Sequence, residues 1–405
     1  MSKDVTAGGE LRADAVMQGF PPPPENRVTL ENWDKPPYNR WSFRNMRKVL
    51  PTAAVGRGAG PVRTFERDEQ DLGRIAFETL GGAPMTLARL LDETYTDAFL
   101  VLHRGRIVTE LYFGAMTPDC LHLSQSVAKS VVGTVAGILI HEGRLDPAAP
   151  LTEHVPELAR CGYKGATLGQ VLDMRSGIRF SEDYGDPEAD VTRLEVACGW
   201  RANADPAIPD SLYDFILTLP QARDHGGPFQ YRSVETDVLG WTLERATGTP
   251  LAELLGAKLW SKLGAEQDAC FTLDRAGAAL ADGGFNATAR DYARLAQAYL
   301  QNGRFNGRQI VPEAWVLASR SGDNSIFGEP YRSQTPKGAY SNKWWVRDVE
   351  SGVTMALGVF GQMLYIDPNH DLVAVKLSTW PDFLNLEFKL NTLRALDAVA
   401  AALHD

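Results

Sequence analysis

Between Ser126 and Gly143 the chain carries Val127, Ala128, Val131, Val132, Val135, Ala136, Ile138, Leu139 and Ile140, apolar at too many angles for a surface helix. The pattern predicts a buried helix that Gly143 ends. Upstream, Ala98-Phe99-Leu100-Val101-Leu102 and Ile107-Val108-Thr109-Glu110-Leu111-Tyr112 flank Arg104-Gly105 and predict a hairpin, entered from a short helix around Thr86 to Glu93. From about residue 150 to 290 the period is helical, with elements over Leu168–Met174, Asp237–Thr247 and Leu251–Leu263. Between the first two of these, Phe180 to Ile208 is long and rich in Asp, Glu, Gly and Pro, which reads as a lid or binding loop. Helices return at Ala289–Leu300 and Pro312–Ser319. Strands follow at Trp344–Val346, Val353–Val359, Met363–Ile366 and Leu372–Leu377, and a last helix spans Leu386–Leu403.

These elements predict an α+β fold: an antiparallel sheet of about five strands drawn from both ends of the chain, flanked by helices, plus an all-α region. Residues 1–65 read as an N-terminal arm and linker, 66–145 with 285–405 as the α/β region holding the sheet, and 146–284 as the all-α region with its lid loop. The cleft is expected between the two regions. Phe20-Pro21-Pro22-Pro23-Pro24 should run extended, and the aromatics from Trp33 to Trp41 should pin the arm to the body. Val55-Gly56-Arg57-Gly58-Ala59-Gly60-Pro61 reads as a linker rather than a phosphate loop, because no strand is expected to lead in and no Lys is placed for phosphate.

Composition narrows the function. With 405 residues, 44% of them hydrophobic, a sizeable core is available. A net charge of −10 and the lack of a basic run argue against nucleic-acid partners. Cys120, Cys161, Cys198 and Cys270 are widely spaced and predict neither a zinc site nor a disulfide framework, so no metal and no cofactor is expected. No apolar window is long enough to span a membrane, and the polar opening Met1-Ser2-Lys3-Asp4 lacks a secretory pattern, so a cytoplasmic location is expected.

The chemistry sits at the start of the apolar helix. Ser126 and Lys129 are three residues apart, hence on one helix face, and Nζ can reach Oγ without help from another element. A Lys in a first helical turn more often extends to solvent, so the pair gains meaning only from its company. No Gly-x-Ser-x-Gly is present and no His sits in a partner motif. Tyr231, in the loop ahead of the Asp237 helix, is the candidate for moving a proton to the leaving atom; read alone, it is more readily an aromatic packing residue whose hydroxyl reaches water.

Ser126-Val127-Ala128-Lys129, Leu172-Asp173-Met174-Arg175-Ser176-Gly177, Tyr231-Arg232-Ser233 and Ala287-Thr288-Ala289-Arg290-Asp291 resemble, in order and spacing, the motifs of the serine β-lactamase and penicillin-binding-protein superfamily. Within it the chain is similar to class C β-lactamases and family VIII carboxylesterases. It most resembles the aminohexanoate-dimer hydrolases, the nylon-oligomer amidases, from about Leu30 to Asp397. The runs Trp33 to Trp41, Tyr95 to Leu102, Glu182-Asp183-Tyr184-Gly185-Asp186-Pro187 and Lys343-Trp344-Trp345 carry that likeness.

The resemblance implies a β-lactamase-like fold and a serine hydrolase of linear amides or short-chain carboxylic esters working through an acyl-enzyme. Its small-molecule substrate would be attacked by Ser126, with Lys129, kept neutral by burial, as base and Tyr231 as proton shuttle. The oxyanion would sit between the backbone N–H groups of Ser126 and Val359. Tyr184 would contact the scissile amide, Glu195 would face the substrate's amine, and Asp282 and Trp345 would be further substrate contacts. Ser233 ends the second motif where lactamases have Asn, which points to the esterase and amidase branch. The Lys-Thr-Gly motif is replaced by Ala356-Leu357-Gly358-Val359-Phe360-Gly361-Gln362, a run with no cation for a β-lactam carboxylate, so penicillin turnover should be poor. The resemblance also admits a homodimer, which no residue pattern requires. Two alternatives stay open: a carboxylesterase without amidase activity, and a catalytically silent binding member of the superfamily.

Overall fold

The computed structural model describes residues 13–404; the opening of the arm, residues 1–12, lies outside the described residues. The principal sheet runs, edge to edge, Ala339–Ser341, Trp344–Asp348, Val353–Gly358, Gln362–Asp367, Leu372–Ser378, Thr96–His103, Arg106–Tyr112 and Glu66–Arg67. Its neighbours pair antiparallel except for the last strand, which is parallel to Arg106–Tyr112. The sheet therefore has eight strands rather than about five. The two edge strands are too short, at three residues and two, to show alternation in sequence. Thr96–His103 is buried at every position because helices cover both faces.

Those faces differ in what they hold. Val373 and Val375 share a core with Val131, Val132 and Val135 of the helix Val127–His141. Leu372 and Ala374, with the opposite parity, pack with Leu393, Leu396 and Val399 of the terminal helix Leu386–His404. The Val127–His141 helix is buried from Val127 to Leu139, as its all-round apolarity requires, and Gly143 ends it at φ +69°.

A second sheet was not legible in the sequence. It runs Thr52–Val55, Ala269–Thr272, Phe285–Ala287 and His122–Leu123, all antiparallel. Two expectations are corrected by it. The stretch 146–284 is not all-helical, since it contains Ala269–Thr272. A strand, Thr52–Val55, does lead into the Gly56 segment. Strands of two to four residues, two of whose three pairings join positions more than about 160 residues apart, leave no local period to detect.

The lid also differs. Phe180 to Ile208 includes a helix, Asp190–Ala197, whose Val191, Leu194 and Ala197 are buried. Its single apolar stripe was hidden by the acidic and Gly-rich residues around it. The arm is pinned as expected: Trp33 is 2% exposed, donates Nε1–H to the Trp200 carbonyl at 2.9 Å and meets the Trp200 ring edge-on. Among the described residues no helix is long and apolar enough to cross a membrane.

Candidate active site

The second sheet places the nucleophile turn. Leu123 pairs with Asn286 and Ser124 N–H donates to Phe285 O, so the segment entering the buried helix lies against the turn before Phe285. Gln125 then takes φ +50°, a left-handed conformation that costs a non-glycine residue about 1–3 kcal/mol. Ser126 follows it at the head of the helix, 9% exposed. The turn before Phe285 contributes Asp282.

Lys129 is 1% exposed. Its Nζ donates to Ser126 Oγ at 2.8 Å and to the Asp282 carbonyl at 2.8 Å, with Asp282 Oδ2 at 3.5 Å. The Tyr231 ring lies 5.3 Å from Nζ, and its hydroxyl faces both Ser126 and Lys129. Trp345 stacks on Tyr231 at 5.4 Å and fixes its plane. The three groups singled out from the sequence are thus brought together.

The protonation of Lys129 differs from the expectation. Burial pulls its pKa down and is the largest single influence, but Tyr231, Asp282, Glu182 and Asp237 together outweigh it and the net direction is up. That net direction favours an ammonium donating to Ser126 over the neutral amine expected from burial alone. Tyr231 is raised by burial, against the opposing pull of Lys129, and so holds its proton too. Asp237, beneath the site, is pushed well up by burial and by neighbouring Asp282.

Two cavities meet at Ser126, and Tyr184 lines both. The smaller, about 30 Å³, is bordered by Glu195, Asp282, Cys198 and Trp200. Glu195 belongs to the lid helix rather than to a solvated loop. Its Oε2 accepts from Arg201 at 2.6 Å, and Arg201 also reaches Asp34 of the arm at 2.8 Å. Burial raises the Glu195 carboxyl to about 7. The larger cavity, about 320 Å³, is lined by Tyr231, Trp345 and Val359 among others. The Ala356–Gln362 run has no cation, as read, but this cavity does contain amines, from Lys376 and Lys389 on other elements.

Gly358, just ahead of Val359, lies against the segment that leads into Ser126 because it has no side chain: a Cβ there would stand 2.5 Å from the Ser124 carbonyl oxygen and 3.1 Å from Gln125 Cβ. Ser233 lies outside both linings. Its N–H and hydroxyl donate to Glu182, which also accepts from Tyr184 Oη at 2.7 Å. Glu182 is the site residue that sequence reasoning passed over, although it opens the Glu182–Pro187 run. It ties the lid to the Tyr231-Arg232-Ser233 segment. Among the described residues no cluster suited to a metal ion occurs, and all four cysteines are free.

Comparison with known proteins shows what the chain is similar to as a whole. Residues 85–399 match the family model described as Beta-lactamase. The chain is 41% identical over 393 residues to the 6-aminohexanoate-dimer hydrolase of Paenarthrobacter ureafaciens, covering 94% of this chain and 97% of that protein. It is similar in structure to a candidate 6-aminohexanoate-dimer hydrolase from Bacillus anthracis, with a TM-score of 0.86, 30% identity and coverage of 94% and 98%. A family VIII carboxylesterase shares the fold, with a TM-score of 0.56 at 18% identity over 76% of this chain and 92% of its own.

Gly358→Ala tests how the strand end is positioned. A displacement of about 1 Å at a reacting centre costs about 10²-fold, so labelling of Ser126 by a fluorophosphonate should slow at least about tenfold while circular dichroism stays native. An unchanged labelling rate would show that the approach of Gly358 to Ser124 does not matter.

Proposed function

This chain belongs to the β-lactamase family, and we propose that it opens linear amides and short-chain carboxylic esters through an acyl-enzyme on Ser126, with aminohexanoate-type oligomers as its amide substrates. It is a serine hydrolase. The observation that carries the residue assignment is the 2.8 Å contact between Lys129 Nζ and Ser126 Oγ at a point open to both cavities.

Resting Lys129 is an ammonium and resting Tyr231 a phenol, so the pair must first lose one proton. Ammonium with phenolate, and amine with phenol, are two arrangements of that same reactive state. In either, the pair takes the Ser126 proton as Oγ attacks the carbonyl carbon. Negative charge then develops on the carbonyl oxygen, for which the N–H groups of Ser126 and Val359 are the proposed donors; one such donor is worth about 10²–10³ in rate. The pair, now fully protonated, gives a proton to the departing nitrogen or oxygen, and the acyl group stays on Ser126. Water enters in the leaving group's place and loses a proton to the pair. The tetrahedral adduct collapses, the pair returns that proton to Oγ, and the acid is released.

Tyr184, its own proton committed to Glu182, keeps a hydroxyl oxygen able to accept from the scissile amide N–H. Glu195 is assigned to the ammonium of an aminoacyl group, in a cavity with room for about one or two waters or a single ammonium. Trp345 acts through Tyr231, and Asp282 through Lys129.

A panel of a nitrophenyl ester, a linear aminoacyl amide and a penicillin tests the reading. Wild type should cleave the first two and Ser126→Ala neither. Ester cleavage alone would reduce the function to a carboxylesterase, and no cleavage with no fluorophosphonate labelling would leave a binding protein. With the uncharged ester, kcat/KM should rise about tenfold per pH unit through neutrality, because Lys129 and Tyr231 both hold their protons above their ordinary ranges. A profile flat from about pH 6 to about pH 9 would mean that Lys129 is already neutral. Glu195→Gln should weaken aminoacyl amides and spare the ester. Equal loss on both would remove Glu195 from the ammonium site.

A further inference from the structure

The larger cavity runs from Ser126 to the face of the sheet covered by the terminal helix, and its far end is unlike the rest. Most of its lining is apolar, including Met355, Leu357 and Leu390. On the strand Leu372–Ser378, positions 372 and 374 supply Leu and Ala to the apolar layer under the terminal helix. The next residue of that parity is Lys376, opposite Phe99 and Met363 and 2% exposed. Its Nζ reaches Ser378 Oγ at 2.5 Å and the Thr94 carbonyl at 3.5 Å, and lies 5.7 Å from the Trp380 ring. Among the described residues no carboxylate bonds to it, although Asp97 acts on it from nearby in favour of its charged form and Arg40 against it.

A second observation points to a ligand there. Trp380 is 6% exposed, borders the cavity, and its Nε1–H has no acceptor. The indole is fixed from two sides: Asn39 Nδ2 donates to the Trp380 carbonyl at 3.0 Å, and Gly361 leaves the space that its ring occupies. Lys389, on the terminal helix, borders the same cavity and donates to Gln334 Oε1, again with no carboxylate. Enclosing amines and an indole N–H with no anion bonded to them is costly, and an anionic ligand would relieve that cost.

We propose that this end of the cavity, bordered by Lys376, Trp380 and Lys389, is a carboxylate subsite that holds the free acid terminus of a linear substrate's leaving group. The proposal deepens the hydrolase reading and rests on it for the direction of the substrate. Ser126 stands between an acidic pocket on one side and this amine-bearing one on the other. In an ω-amino acid oligomer the acyl half ends in an ammonium and the amine half in a carboxylate, so the chain would lie with its ammonium toward Glu195 and its acid toward Lys376. Methylene groups would fill the apolar stretch between. The volume, about 320 Å³, is of the size that small-molecule sites have. Burial holds Lys376 near 7 and Lys389 near 8 in the empty cavity. A carboxylate would favour the ammonium of each.

The test compares a linear aminoacyl amide whose leaving amine ends in a free carboxylate with the same compound capped as its methyl ester. Wild type should prefer the free acid in kcat/KM, and Lys376→Met should lower that preference about tenfold, the worth of one charge-assisted hydrogen bond. Trp380→Phe and Lys389→Gln should lower it as well, and they keep the test alive if Lys376→Met does not fold. An unchanged preference in all three folded variants, or none in wild type, overturns the subsite. Calorimetry with hexanoate and hexylamine on Ser126→Ala separates this from catalysis: hexanoate should bind, hexylamine should not, and Lys376→Met should abolish hexanoate binding. Hexanoate binding without turnover of any amide would sink the hydrolase reading and leave the subsite standing. Turnover without hexanoate binding would do the reverse.

Discussion

A lysine ammonium with 1% exposure is stable only where the protein surrounds it with acceptors and negative charge, and the architecture around Lys129 is arranged to do that. The helix it belongs to is apolar on every side, which fixes its axis inside the core and leaves the first turn no route to solvent. The small second sheet carries the Asp282 carbonyl to Nζ, and the segment ahead of the next long helix brings Tyr231. Ser126 gains its position from the strained Gln125 just before it. Burial pulls the Lys129 pKa down, the acidic groups that face it pull it up, and the net direction is up. In the proposed mechanism the hydroxyl accepts from Lys129 until one proton leaves the Lys129–Tyr231 pair.

The same constraint explains why the arm and the lid matter. Trp33 and Asp34 of the arm hold Trp200 and Arg201 at the edge of the acidic cavity, while Asn39 and Arg40 reach the Trp380 carbonyl and Asp97 at the other. Glu182 of the lid fastens Ser233 and Tyr184 together. Segments far apart in sequence thus form two pockets of opposite character around one hydroxyl, one lined by Glu195 and Asp282, the other bordered by Lys376 and Lys389. In the proposed function, that difference between their far ends would favour one orientation of a linear molecule at Ser126.

What the sequence made legible was local. Ser126 and Lys129 share a helix face by spacing alone, the main-sheet hairpins announce themselves by alternation and turn residues, and Ala289–Leu300 has the bounds its period predicts. The motif order supplied the family and Tyr231. What stayed hidden depends on partners distant in the chain. The four-stranded sheet has strands too short to show a period. The lid helix hides one apolar stripe among acids and glycines. The upward pull on Lys129 was not legible because burial can be read from an apolar helix, whereas Asp282, Glu182 and Asp237 come from three other segments. Lys376 looked like any strand residue until the sheet's parity put it on a covered face.

The account stands or falls on Lys129 and Tyr231 as the route by which Ser126 loses its proton. Mixing the enzyme with a slowly deacylating ester, quenching within one turnover and mapping the acyl mass by peptide mass spectrometry measures that step directly. The acyl group should appear on Ser126 in wild type, and its formation should slow by about 10²–10⁴ in folded Lys129→Met. Acylation of Lys129→Met at the wild-type rate, or an acyl group on a different residue, would contradict it.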